Sequence, residues 1–411
     1  MAGERLPERI SLRSQPWFRW TRKCFETATS HIQNVTANVE KQTMKQIISI
    51  FILSLIFSNS YSQRFDSKFD TIIATFGTRV GPFYEDSLRI PEIYTGKDFS
   101  IRLAENALDL RLESKILLNP SSDDPFPLSY SVIYDDHLIS LFKPGNFICY
   151  RLEDFSRNTE LEKSLNKKKF NRHSIIDNNL HAQTKLGFWN VYSGNKWKKA
   201  NGIPNPEKFK SHLYYDSEFI VFSDCNGEWG GTLYFYHRPT KETYFTSATC
   251  ANTVTRDKNG FKVLSHLGHG FGFADIKQIV EPTKLPKLKD FKGEKRSINA
   301  RGNSDTTNVA KEIFDFFGIQ IFSTFPLSGK EHFIIHWQEM TFLAEINGTE
   351  ILIVHPLFNS DLYTHDPITK NYKSGEVLIN LDHYGTGLER EISMILVKGN
   401  KMTKIEWKEK H

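Results

Sequence analysis

At 411 residues, with 13% aromatic side chains, 24 glycines and 16 prolines, the chain can form one large domain or two ordinary ones, and its mixture favours strands and turns over helix bundles. The formal charge is +5, but seven basic residues and four acids precede Met44 and Lys45 follows it, so the portion from Gln63 onward carries about +1. That balance gives no support to a nucleic-acid partner, which needs a concentrated positive face.

Residues 1–43 are polar, basic and rich in arginine, with no strand pattern. Residues 44–63, MKQIISIFILSLIFSNSYSQ, combine one lysine, an apolar run over 47–57 and small residues at Ser60 and Ser62. This is the layout of a secretory signal peptide cleaved between Ser62 and Gln63. The apolar run is too short to span a bilayer comfortably, so no stable membrane span is expected in the mature chain. Met44 is therefore read as the working start, 44–62 as the signal and 1–43 as a non-native or disordered extension. A signal anchor with a cytoplasmic tail and a transit-like leader are the competing readings.

After the signal, strands are expected at 71–76 and 99–103; residues 107–116 read equally as an alternating strand or a short helix, and 120–127, PSSDDPFP, as a loop. The segment 211–280 is the densest in strand signals. Aromatic and β-branched runs at 213–215, 219–222, 232–236, 244–245, 252–255, 261–264 and 276–280 are separated by polar turns, with Asn259-Gly260 read as a type I′ hairpin. Residues 281–305 are a polar, lysine-rich insert. Ser304 and Asp305 are placed to cap a helix through Phe317, with Val309, Ile313 and Phe316 on one face and Gly318 at its end. Strands return at 377–380, 392–398 and 402–407, and pairing of the last with the first would remove open edges.

Three stretches, 129–150, 211–236 and 331–355, share an order of strand, polar hairpin, strand, glycine-containing turn and strand. Their offsets lie near multiples of about 40 residues, the length of one four-stranded propeller blade. The expected fold is all-β, a β-propeller of about six four-stranded blades (five to seven) over residues 65–411, with the polar insert near 281–305.

Of the cysteines after the signal, Cys225 ends one strand and Cys250 follows the next hairpin, so neighbouring strands are expected to bring them within bridging distance; Cys149 is expected to be a buried free thiol. The run Asp224-Cys225-Asn226-Gly227-Glu228-Trp229-Gly230-Gly231, continued to Tyr236, resembles blades of exported propeller-like proteins of Gram-negative bacteria whose activity is uncharacterised. The likeness extends over 211–280, including Cys250 and the histidine-rich entry at 265–270. It implies a propeller and export to the periplasm, the cell exterior or the outer surface, and carries no catalytic residues.

The most site-like cluster is His266-Leu267-Gly268-His269, whose histidines fall on opposite faces of a regular strand unless the glycine makes a bulge. A metal would need three or four ligands, with Asp224 and Glu228 as the available additions. Those carboxylates also suit the acid and base of a glycosidase, although turn carboxylates more often cap backbone amides. Trp189, Trp197, Trp229 and Trp337 would suit stacking on sugars if exposed together, but such residues more often fill blade cores. There is no nucleophile elbow, P-loop, GxGxxG, HExxH or CxxC. No cofactor or metal is expected. The candidate binding residues are Asp224, Glu228, Trp229, His266 and His269, in a binding or scaffold module for a protein or glycan ligand. A carbohydrate-active hydrolase or lyase acting at the propeller's channel mouth is the alternative.

Overall fold

The computed structural model describes residues 93–119, 127–204, 211–268, 272–288, 309–337, 340–358, 364–381 and 394–409, all within the compact unit Asp66–His411. The expected signal peptide at 44–62, the residues before it and the strand expected at 71–76 lie outside the described residues.

Among the described residues, three N-terminal strands come first, β1 (Ile93–Thr95), β2 (Ser100–Leu103) and β3 (Arg111–Asn119). Six antiparallel meanders follow. Blade 1 holds β4 (Ser129–Tyr134), β5 (His137–Phe142) and β6 (Asn146–Arg151). Blade 2 holds β7 (Arg172–Ile176), β8 (Asn179–Gln183), β9 (Trp189–Ser193) and β10 (Lys196–Lys199). Blade 3 holds β11 (Ser211–Tyr215), β12 (Phe219–Ser223), β13 (Thr232–His237) and β14 (Glu242–Ser247). Blade 4 holds β15 (Ala251–Asp257), β16 (Gly260–Leu267), β17 (Phe273–Ile279) and β18 (Ala310–Phe317). Blade 5 holds β19 (Gln320–Leu327), β20 (Lys330–Trp337), β21 (Met340–Asn347) and β22 (Glu350–Phe358). Blade 6 holds β23 (Ile368–Asn371), β24 (Val377–Asn380), β25 (Met394–Lys398) and β26 (Lys401–Glu409). The protein is a six-bladed β-propeller.

Blade 1 departs from the four-strand rule. The helix α1 (Thr159–Leu165) packs against β6 in place of a fourth strand, with the Asn158 side chain accepting from Leu161 N and acids in the first turn.

Each junction between neighbouring blades is filled by its own apolar cluster, because strands alternate inward and outward faces and each blade buries both. Phe147 meets Trp197 between blades 1 and 2, and Ile176 meets Phe222 between blades 2 and 3. Phe219 and Phe235 meet Phe261 between blades 3 and 4, and Phe316 meets Ile335 between blades 4 and 5. Ile334 meets Ile379 between blades 5 and 6, and Ile405 meets Phe142 between blades 6 and 1. Among the described residues, the last cluster closes the ring without a shared strand. Asn380 supports the closure, its side chain accepting from Ser131 N at 2.8 Å and donating to Ser131 O at 3.1 Å.

The last strand does pair with an N-terminal strand, while the first strand expected, at 71–76, lies outside the described residues. β2 adds in parallel to β22 and β3 adds in parallel to β26, so they cover the outer edges of blades 5 and 6.

Three expectations are corrected by the register. Residues 310–317 form the strand β18, where buried Phe314 and Phe316 alternate with exposed Ile313, Asp315 and Phe317; this period of two outweighs the weaker helical spacing of Val309, Ile313 and Phe316. The stretch 331–355 spans the second to fourth strands of its blade, one strand out of phase with 129–150 and 211–236, because β19 precedes it. The Asn259-Gly260 hairpin has positive φ only at Gly260, paired with Asp257, so it is not a type I′ turn, which needs two such residues. The insert begins in ordered structure: Pro282–Lys284 is a 3-10 turn, and Leu285 packs into the cluster between blades 3 and 4.

Candidate functional site

In an up-and-down blade, the loop between the second and third strands and the connection to the next blade lie at the same end of the ring. The turn 224–231, the connection 248–250 and the loop after Leu267 therefore share one end. Across it runs the disulfide Cys225 to Cys250, with Cα atoms 4.4 Å apart, while Cys149 is a buried free thiol whose ionisation burial strongly opposes.

Asp224 organises the turn. Its Oδ1 accepts from Thr232 N at 2.8 Å and its Oδ2 from the Tyr234 hydroxyl at 3.1 Å, the amide-capping arrangement that turn carboxylates commonly adopt. Gly227–Trp229 then makes a single 3-10 turn. Gly231 allows the connecting segment to pass close by, since a Cβ there would lie 2.6 Å from both Asp224 O and Ala248 O. The turn presents Glu228 and a 67% exposed Trp229 to solvent.

His266 lies apart from these groups. It is fully buried on β16, with Nδ1 3.2 Å from Asn252 Nδ2 and its ring edge-on to Phe322. Burial pulls its pKa down to about 4, against a backbone contact with Thr364. His269 lies outside the described residues. Among the described residues no group of three or more His, Cys, Asp or Glu is placed to hold a metal ion. Trp189, Trp197 and Trp337 are core residues, so the four tryptophans do not form one stacking platform.

Glu228 instead joins residues that sequence reading passed over. A pocket of about 340 Å³ opens between the turn of blade 3 and the outer strands of blade 4, lined among others by Glu228, Ser247, Asp275, Lys277, Glu312 and Asp315. Asp275 on β17 and Asp315 on β18 are direct cross-strand partners, a like-charge pairing that disfavours the sheet. Asp275 is 4% exposed. Its Oδ1 makes no hydrogen bond of normal geometry, although the Ser265 hydroxyl, cross-strand from it on β16, is near enough to hold its pKa down somewhat; its Oδ2 lies 3.4 Å from Lys277 Nζ, which also donates to Ser247 O at 3.0 Å. Burial pushes the Asp275 pKa up despite Lys277 and the Ser265 hydroxyl, and Asp315 adds to the rise. Asp315 is raised in turn, first by desolvation and then by Asp98. The available signal was the alternation in EIFDFF, which marks a strand and turns Asp315 towards β17.

The inner strands carry a second polar group. Lys370 on β23 is 8% exposed and donates from Nζ to Ser174 Oγ on β7 at 3.2 Å. His173 and His212, on β7 and β11, are held neutral by burial, at about 4 and about 3.

The likenesses to known proteins are confined to architecture. The chain is similar to the β-propeller domain of the Trilobed protease from Pyrococcus furiosus, at 12% identity and a TM-score of 0.32, covering 69% of this chain and 87% of that one. It is similar to the WD40 β-propeller domain of Doa1, at 12% identity and a TM-score of 0.30, covering 66% and 88%. The N-terminal domain of Nup159 matches at 9% identity and a TM-score of 0.28, covering 61% and 72%. No family model matches the chain, and no curated protein does. The propeller assignment stands on the sheet order and on the six apolar junctions.

No helix among the described residues is long and apolar enough to cross a membrane.

Proposed function

We propose that the protein is an exported binding or scaffold propeller that presents a ligand site at the end of the ring carrying the turn 224–231. The observation that carries this reading is the pocket between blades 3 and 4, flanked by an exposed tryptophan that sits between two of its lining residues, Glu228 and Gly230. A concave polar site beside an exposed aromatic is a common form of recognition surface. Export is supported by the signal-like segment 44–62 and its fit with a disulfide-bonded propeller. Residues 65–411 form the domain in this reading, and the ligand is a protein or a glycan.

The alternative is a carbohydrate-active hydrolase or lyase. One observation favours it: a buried carboxyl with a raised pKa, Asp275, shares the pocket with Glu228 and Glu312, and glycosidases pair such an acid with an ionised carboxylate. It shifts the expected chemistry from the channel mouth to the crevice between blades.

The test uses the full chain expressed with its own leader in a Gram-negative host. Recovery from the periplasm with Gln63 at the N-terminus is the expected outcome; cytoplasmic retention with an intact leader overturns the export reading. The recovered protein is then applied to glycan and peptide arrays beside Trp229→Ala. Hits lost in that variant support the binding face, hits unchanged by it place binding elsewhere, and breakdown of arrayed sugars that stops in Asp275→Asn supports the enzyme.

A further inference from the structure

The pocket between blades 3 and 4 has a marked charge imbalance. Glu228, Asp275, Glu312 and Asp315 face one cation, Lys277, and Asp98 adds a fifth carboxylate close enough to raise Asp315. Among the described residues, Glu228, Glu312 and Asp315 form no ion pair with a Lys or Arg. Lys277 is already committed to the Ser247 carbonyl and to one oxygen of Asp275. The other oxygen of this pocket-lining residue, Asp275 Oδ1, is buried and makes no hydrogen bond of normal geometry, with only the neutral Ser265 hydroxyl of the neighbouring strand beside the carboxylate. A buried, unmade acceptor is unfavourable for the free protein, and so is an aspartate directly opposite another on the adjacent strand. Both penalties are relieved by a positively charged hydrogen-bond donor entering the pocket.

The acids do not converge as a metal cage does, and the space is far larger than a bare ion needs. A primary ammonium fits better, since it brings one positive charge and three donors on a flexible stem.

We infer that this pocket binds a primary alkylammonium group, with Asp275 Oδ1 as its buried acceptor and Asp315, Glu312 and Glu228 as the surrounding charge. The group comes either from a free small amine or from a lysine side chain of a partner protein. This inference rests on the reading of the same end of the ring as the binding face; a lysine of a partner protein is one of the ligand classes of that reading, and a free small amine extends it.

The test is calorimetric titration of the full chain at neutral pH and low salt with three probes: 1,5-diaminopentane, Nα-acetyl-lysine methylamide, and the same lysine derivative acetylated on Nε. Saturable one-site binding of the two amines and none of the Nε-acetylated form is expected. Asp275→Asn is expected to weaken the amines at least about tenfold, because a charge-assisted hydrogen bond is lost. Glu312→Gln gives a second reading from a more exposed position with less risk to folding, and Glu218→Gln, a carboxylate paired with Arg256 outside the pocket, is expected to leave binding unchanged. Tighter binding of the diamine points to a free amine as the source, and tighter binding of the lysine derivative points to a partner protein. Absence of saturable binding by both amines, equal binding of the acetylated probe, or affinity unchanged in both pocket variants overturns the inference. If the amines fail while array ligands still depend on Trp229, the binding-face reading survives and only the ammonium assignment falls.

Discussion

Phe261→Ala is expected to lower the unfolding free energy by about 3–5 kcal/mol, the usual range for truncating a large aromatic in a packed core. Phe261 is the second residue of β16 in blade 4 and is fully buried against blade 3. Its ring centroid lies 5.1 Å from that of Phe235, 5.4 Å from Tyr214 and 5.5 Å from Phe219, all edge-on. Arg256 stands 4.9 Å above the ring and is held there by ion pairs to Asp216 and Glu218, each at 2.6 Å. Removing the ring opens a cavity at a blade junction and strips the guanidinium of its platform. Denaturant titration reads the loss directly. A change below about 1 kcal/mol would mean that blades 3 and 4 do not meet as described.

Lys370→Met is expected to act in the opposite direction, raising stability at pH 7 by about 2 kcal/mol. Burial pulls the Lys370 pKa down to about 8 from an ordinary value near 10.4, a difference worth about 3 kcal/mol to the folded state, from which the lost bond to Ser174 subtracts about 1. The sign follows from the depressed value. Below about pH 8 the amine is charged both folded and unfolded and the full penalty applies; between about pH 8 and 10.4 the folded state has already released the proton and the penalty fades. Wild-type stability is therefore expected to gain from this group as pH rises through that window, and the Met variant to lack the gain. A Met variant less stable than wild type at pH 7 would show that the ammonium is compensated.

The fold was largely legible because propeller strands announce themselves locally. The aromatic runs ending at Phe222 and Tyr236, the hairpin at Asp216 and the spacing of Cys225 from Cys250 each depend on near neighbours, and each appears in the structure where expected. The phase of the repeat was harder to read. The insert between β17 and β18 lengthens blade 4, and the stretch 331–355 begins one strand late, so a spacing near 120 residues covers two blade steps rather than three. The site was less legible than the fold. Asp224 and His266 attracted attention as polar residues in conspicuous motifs, yet one caps its own turn and the other is enclosed by Asn252 and Phe322. Asp275 and Asp315 stand 40 positions apart in sequence and meet only once β18 pairs with β17. Reading residues 310–317 as a helix removed that pairing from view, and with it the like-charge pair that lines the pocket.

On the inference that the pocket binds an ammonium group, Asp275 is a carboxylate kept there at a cost to stability for the sake of that ligand. Its pKa is raised, so the penalty is absent while the group is protonated in both states, grows as pH rises from the ordinary aspartate value through the raised folded value, and is complete above it. The most direct measurement is the unfolding free energy of wild type and Asp275→Asn, without added ligand, from about pH 3.5 to pH 7. The Asn variant is expected to be the more stable at pH 7, with the gap closing towards the acid end. An Asn variant less stable at pH 7 would contradict the claim, because it would make Asp275 a supporting member of the blade and leave the pocket without an unmet charge.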